Sequence, residues 1–278
     1  MTAGSGWLGR LALALDKTEH GTQLTRSSHE GPLRIQRVLK PEGQECPHIY
    51  LLHPPGGVVG GDRLETRVEL GAGAQVLLTT PAAQKLYRSS GARAEISNLL
   101  QLGQAARLEW LPSETLAFSA AQARVTTRVV LAPEAAFLGW DIACYGMPAR
   151  GETFDAGRVA AHFEIFRGAT PLLIESFDLG HGELLDGAFA LRGQPVVANL
   201  YAVPAEGKIA AELVERVREA LGEPAQGWCS VTSLQELLVV RALGRNVEGV
   251  RAALIRAWQV LRPAIVSREA VPPRIWAT

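Results

Sequence analysis

The sequence predicts a mainly β chain of stacked, β-helix-like sheets with two helices in its C-terminal third. Three features carry this. Strand-like alternation dominates the first two-thirds, a short segment recurs at near-constant spacing, and helical periodicity begins only after residue 205. Residues 124–131 place Val125, Thr127, Val129 and Leu131 on one face and Arg124, Thr126 and Arg128 on the other. Residues 158–166 do the same, with Val159, Ala161, Phe163 and Ile165 opposed by Arg158, His162 and Glu164.

The recurring segment is Leu70-Gly71-Ala72-Gly73-Ala74-Gln75-Val76-Leu77. It is matched by Leu102-Gly103-Gln104-Ala105-Ala106-Arg107-Leu108-Glu109 and by Leu131-Ala132-Pro133-Glu134-Ala135-Ala136-Phe137-Leu138, at offsets of 32 and 29 residues. Each copy reads as strand end, tight turn, small residue and new strand. Such a period suggests stacked coils that bury their inner faces against one another, although an Ala/Gly-rich chain also yields such likeness by chance.

Residues 206–221 align Ile209, Leu213, Val217, Ala220 and Leu221 on one stripe, and Gly222 and Pro224 supply a stop. A short strand over Leu234 to Leu243 follows. Asn246 is a good N-cap for a second helix carrying Val247, Val250, Leu254, Ala257, Trp258 and Leu261, which Pro263 is expected to end. The chain closes on the apolar Pro272-Pro273-Arg274-Ile275-Trp276-Ala277-Thr278. With no charged or Ser-rich linker, 1–278 reads as one domain, a β-rich stack over 1–205 and a helical flank and tail over 206–278.

Twenty-eight basic residues balance 28 acidic ones, which argues against a nucleic-acid partner, since phosphate neutralisation needs a basic surplus. Cys46, Cys144 and Cys229 form no CxxC pair, so neither a zinc knuckle nor a disulfide framework is indicated. No apolar run approaches a membrane span and no secretory pattern opens the chain, so a cytoplasmic location is expected.

The segment His53-Pro54-Pro55-Gly56-Gly57-Val58-Val59-Gly60-Gly61-Asp62 invites a phosphate-loop reading, but Asp62 and Arg63 stand where Lys and a hydroxyl residue are required. A compact turn fits better, with Pro55 and Gly56 central to a type II turn and Asp62 accepting from glycine amides. Cys46, His48 and His53 are the clustered soft ligands. Cys46 and His48 share a strand face and His53 has the opposite parity, so no closed metal site is expected.

Asp141 and Glu175 sit among apolar strand residues, and Glu114 follows Trp110-Leu111-Pro112-Ser113. Buried carboxylates are costly unless hydrogen-bonded, paired or facing water. Three readings stay open: structural hydrogen bonding, an acid/base pair of a β-helical carbohydrate hydrolase or lyase using Asp141 and Glu175, and a wet passage lined by acids. No nucleophile elbow, HExxH, Rossmann or kinase signature is present.

Further segments complete a pattern: Gly31-Pro32-Leu33, Pro41-Glu42-Gly43, Thr79-Thr80-Pro81-Ala82-Ala83-Gln84-Lys85-Leu86-Tyr87-Arg88-Ser89, and Leu108-Glu109-Trp110-Leu111-Pro112-Ser113-Glu114. Gly139-Trp140-Asp141, Pro171-Leu172-Leu173-Ile174-Glu175 and Pro273-Arg274-Ile275-Trp276 follow. With the His53–Asp62 segment, this ordered set resembles the urease accessory protein UreD (UreH) family over nearly the whole chain. Val38-Leu39-Lys40 departs from it where members often carry an aromatic residue.

The resemblance implies a non-enzymatic scaffold or chaperone that binds the urease apoprotein subunits. With UreF and the GTPase UreG it would promote nickel insertion and metallocentre assembly. It implies a mostly β fold with few helices. It also nominates Asp62, Glu114, Asp141 and Glu175 as the lining of a transient Ni²⁺ path, with no tightly bound cofactor and no stable metal site. Carboxylates suit such a path because they bind a borderline ion without trapping it as a thiolate cage would. Trp258, Arg274, Ile275 and Trp276 are the expected contacts to UreF, since Trp and Arg make strong interface anchors; the alternative is that Trp276 packs on its own domain.

Overall fold

The structure, a computed structural model, describes residues 6–180, 186–188, 190–222 and 227–277. Two sheets face one another. The smaller has seven strands in the spatial order β14 (Thr170–Gly180), β13 (Gly157–Arg167), β11 (Ala121–Leu131), β8 (Ala94–Leu102), β5 (Arg63–Leu70), β1 (Leu8–Thr18) and β2 (Gly21–Glu30). The larger runs β16 (Gly227–Leu234), β17 (Leu237–Gly244), β15 (Val196–Val203), β12 (Ala136–Tyr145), β9 (Arg107–Leu111), β6 (Gln75–Thr79), β4 (His48–Leu52) and β3 (Arg34–Leu39). Short strands β7 (Gln84–Leu86) and β10 (Thr115–Ala117) join it through the end of β12.

The chain alternates between the sheets, so β5, β8, β11 and β13 stack in parallel on one side and β4, β6, β9 and β12 on the other. The recurring segment is the corner of each coil. Ala74, Ala106 and Ala135 donate to the carbonyls of Gly71, Gly103 and Ala132 at 3.1–3.2 Å. The preceding residues Gly73, Ala105 and Glu134 all take left-handed φ, between +54° and +69°. The three alanines are fully buried, which is why a small residue recurs there.

The helices explain why the sheets read so differently in sequence. The smaller sheet has a solvent face, hence its alternation. The larger is covered on its second face by α1 (Ala211–Leu221) and α2 (Val247–Val266), so β12 reads as a nearly unbroken apolar run. Leu13, Val68, Leu100, Val129 and Ile165 meet Val76, Leu108, Phe137 and Tyr201 between the sheets. Leu138, Trp140, Leu200 and Val240 meet Leu213, Val217, Leu254 and Trp258 on the far side.

Three local expectations are corrected. The strand expected over Leu234 to Leu243 is the second arm of a hairpin, with β16 before it. Pro263 does not end α2, which runs to Val266 and stops where Ser267 turns left-handed; buried Ile265 and Val266 offset the lost amide. The tight turn in the glycine-rich segment closes from Gly56 N to His53 O, one residue earlier than expected, with Gly56 at φ +72°. Asn246 caps α2 by accepting from Gly249 N at 2.7 Å. Gly222 follows α1 directly, and Pro224 lies outside the described residues.

Candidate functional site

Among apolar neighbours between the sheets lies a polar cluster. Asp141, Asn199 and Arg241 stand in one register row across β12, β15 and β17. Facing them is Glu175 on β14, the edge strand of the smaller sheet. Arg241 spans the gap: both of its terminal nitrogens donate to Glu175, one at 2.8 Å to Oε2, and Nη1 also donates to Asn199 Oδ1 at 3.0 Å. The Tyr201 hydroxyl lies 3.5 Å from Glu175 Oε2, and its ring stacks near Phe163 at 4.4 Å.

Asp141 opens onto a cavity of about 470 Å³ between the sheets, walled by Leu64, Val125 and Val159 on one side and Trp110, Ile142 and Tyr145 on the other. His53 and Gln84 also line it. Asp141 Oδ1, His53 Nδ1 and Gln84 Nε2 are all shielded atoms with no protein hydrogen-bond partner. Unpartnered polar atoms on residues that line a roomy cavity are suited to water, and the carboxylate and imidazole among them to a cation. Burial pushes the Asp141 carboxyl up and Glu175 adds to this, against contacts with Asn199, Arg241 and Tyr201, leaving it at about 7. Burial pushes the His53 imidazole down, against the pull of Asp62, which favours the neutral ligand form.

Asp141 keeps its proton in the folded state up to about pH 7, whereas an unfolded aspartate loses it near 3.8. The folded state therefore binds more protons in that window, and stability falls as pH rises through it. Asp141→Asn should match the parent below about pH 4 and exceed it well above pH 7 by on the order of 4 kcal/mol, measured by urea unfolding. Equal stability at pH 8 would refute the strained carboxylate.

The sequence profile of the UreD urease accessory protein family matches residues 8–277. The chain is 45% identical over 274 residues to the urease accessory protein UreD of Pseudomonas fluorescens strain Pf-5, covering 98% of this chain and 95% of the relative. It is 40% identical over 276 residues to urease accessory protein UreD 2 of Brucella anthropi, covering 99% of each. The chain belongs to the UreD family. Membership places it in urease maturation and, since its relatives are accessory proteins, suggests a non-catalytic role.

Of the four carboxylates that the family resemblance nominated, the structure brings Asp141 and Glu175 together. The other two are committed elsewhere. Asp62 accepts from Trp7 N at 2.8 Å and Val59 N at 3.0 Å, tying the glycine-rich loop to the N-terminal segment through those amides rather than glycine ones. Glu114 is ion-paired with Arg251 of α2.

Cys46 and His48 gather with Glu42, their donor atoms within 4.8 Å of one another, while His53 lines the cavity on the other side of the sheet. A cation already occupies this corner. Arg262 donates to Glu42 at 2.6 and 2.9 Å and to Glu109 at 2.9–3.1 Å. His48 Nε2 lies 2.7 Å from Glu42, and Trp258 Nε1 donates to Glu109 at 2.8 Å. Burial, with Glu109 and Glu42 adding to it, pushes the Cys46 thiol up to about 12, so it stays protonated beside the ion pairs. Arg262 makes the cluster an ion-pair network, although the buried His48 Nδ1 has no hydrogen-bond partner in it.

Sequence reasoning missed Arg241 and Arg262. Each left a signal: a lone arginine within an apolar run, Leu237-Leu238-Val239-Val240-Arg241-Ala242-Leu243 and Leu261-Arg262 on the stripe of α2. Of the residues expected to contact UreF, Trp258 lies in α2 and is fully buried, so it packs inside the molecule rather than presenting a surface anchor. The Trp276 ring lies 5.2 Å from Trp140 and 5.3 Å from Trp258, with Nε1 at 3.4 Å from Thr79 Oγ1. Arg274 is exposed and Ile275 is half-buried. Among the described residues, no helix is long and apolar enough to cross a membrane.

Proposed function

We propose that this chain is a cytoplasmic, non-catalytic scaffold that grips apo-urease and, with UreF and UreG, promotes nickel insertion, the ion passing between the two sheets by way of Asp141 and Glu175. The observation that carries the reading is Asp141 itself: a carboxylate with a shielded, unpartnered oxygen, opening onto a cavity and beside a second acid. A charge so placed weakens the fold, which makes sense where the charge is used. Ni²⁺ accepts carboxylate, imidazole and water ligands, and Asp141, Glu175 and neutral His53 offer the first two. Single ligands at intervals lower the cost of entry without building a trap.

A hydrolase reading fits less well. It would need Asp141 and Glu175 facing an open cleft, one as acid and one as base or nucleophile. Glu175 has both oxygens held by Arg241, and Asp141 opens on a space walled mainly by apolar side chains.

For the tail, Arg274 and Ile275 are proposed contacts to UreF, held in place by Trp276 and the buried Trp258. Coexpression with UreF, UreG and apo-urease, followed by sizing and metal analysis, tests the scaffold. The expected result is a complex containing all four and nickel-loaded urease only when this chain is present. Arg274→Glu should weaken capture by UreF while leaving the melting temperature unchanged. Normal urease nickel content without this chain would overturn the proposal.

A further inference from the structure

We infer that Arg241 is a tethered counter-ion that competes with the passing cation for Glu175, keeping this acidic stretch from becoming a trap. The inference rests on the conduit reading above and adds a specific role for a residue that reading does not use. Its basis is geometric. The guanidinium takes both oxygens of Glu175 at once and holds Asn199 Oδ1 at 3.0 Å as well. A fork of two parallel hydrogen bonds engages the same lone pairs that a divalent cation would engage, so Glu175 can serve one or the other. Asn199 lies beside Asp141 in the register row, so the guanidinium stands at the junction of both acids.

Arg241 and Arg262 differ in one decisive respect. Arg262 has no exposed side-chain surface and is locked between Glu42 and Glu109. Arg241 is 49% exposed, with Glu175 at 22%, so its head can swing into water and remain solvated. Arg262 is therefore a permanent counter-ion and Arg241 a releasable one. An arriving ion displaces it. When the ion moves on, the arginine returns and restores neutrality, because its effective concentration beside Glu175 is set by a short covalent tether.

Removing the competitor should turn a passage into a binding site. The test is competition between the full-length chain and a nickel-sensitive chelating dye, with Ni²⁺ as the probe. Arg241→Gln keeps a hydrogen bond to Asn199 within reach but removes the charge, and should bind Ni²⁺ about tenfold or more tightly than the parent, the scale on which a contacting like charge opposes a cation. Arg241→Lys, which keeps the charge but not the fork, should give a smaller gain and serves if the glutamine variant folds poorly. Adding Glu175→Gln should cancel the gain in either background. Affinity of both arginine variants within twofold of the parent, or a gain that survives Glu175→Gln, would overturn the inference. Its failure is separable from that of the conduit. If Arg241→Gln binds no more tightly while loss of both acids still blocks urease activation, the conduit stands and the counter-ion role falls. If the acids prove dispensable for activation while Arg241→Gln still gains affinity, the conduit falls, and with it the role in passage, leaving Arg241 only as a group that opposes cation binding at Glu175.

Discussion

Asp141→Asn combined with Glu175→Gln should lower nickel loading of urease about tenfold or more, the scale on which removing metal-orienting groups acts, with the accessory complex intact. Both replacements are close in shape to the acids they replace. The amides still offer an oxygen each, so Asn199, Tyr201 and Arg241 keep acceptors, while the two negative charges disappear. Loss of function through unfolding is separable. The cost of ionising Asp141 between the sheets is relieved by Asn, so that half of the change stabilises the chain at pH 8. Releasing the half-exposed Arg241 from its carboxylate costs only about 0–1 kcal/mol. A variant as stable as the parent, still captured in the complex and yet unable to load urease, points to the charges themselves. Nickel content of urease by metal analysis, beside sizing of the complex, decides it. Full loading by the double variant would sink the conduit while leaving the scaffold standing.

Much of the architecture was legible because a solenoid writes itself locally. The corner at Leu70, Leu102 and Leu131 needs a left-handed residue followed by one with almost no side chain, and these requirements recur in the sequence wherever the chain turns from one sheet to the other. Alternation was readable only in strands with a solvent face, such as β11 and β13. In β12 both faces are buried, so parity carries no signal, and Asp141 stood out instead as a charge within an apolar run. The hairpin of β16 and β17 was read as one strand because its first arm, residues 227–234, has Ser230, Thr232 and Ser233 interrupting its apolar residues without a clean alternation. Pro263 misled because propensity lost to packing: Ile265 and Val266 bury enough surface to carry the helix past it. The candidate site was half legible. Its acids were visible, but the arginine that holds Glu175 comes from 66 residues away, and nothing local predicts that pairing. The glycine-rich loop, the most conspicuous motif, orders backbone amides around Asp62.

Arg262→Ala should cost about 3–5 kcal/mol, a large part of the ~5–15 kcal/mol that holds a typical domain together. The side chain is fully buried and neutralises Glu42 and Glu109 at once, so its removal leaves two carboxylates beneath α2 with no equivalent partner. Trp258 satisfies one oxygen of Glu109 but brings no charge, and Arg268 stands 3.8 Å from Glu42. A fall in melting temperature of about 10 °C follows for a chain of this size. Burial pushes the Glu42 carboxyl up, but hydrogen bonds from His48 and Arg262 and the Arg262 charge outweigh this and hold it at about 2. Glu42 is thus deprotonated in the folded state at pH values where an unfolded glutamate, near 4.5, is not. The stability it contributes is complete above that value and is lost as pH falls toward 2. In Arg262→Ala this acid-side loss should shrink, because the partner that keeps Glu42 ionised has gone. Replacing Glu42, Glu109 and Arg262 together by apolar residues of similar volume should recover most of the stability, since it removes buried charge and counter-charge alike. A single variant melting within about 2 °C of the parent would show that the network holds nothing. The network lies on the helix-facing side of the larger sheet, opposite the cavity and the Asp141 cluster. Urease loading by Arg262→Ala should therefore fall only in proportion to the folded fraction, whereas the Asp141 and Glu175 variant fails while folded.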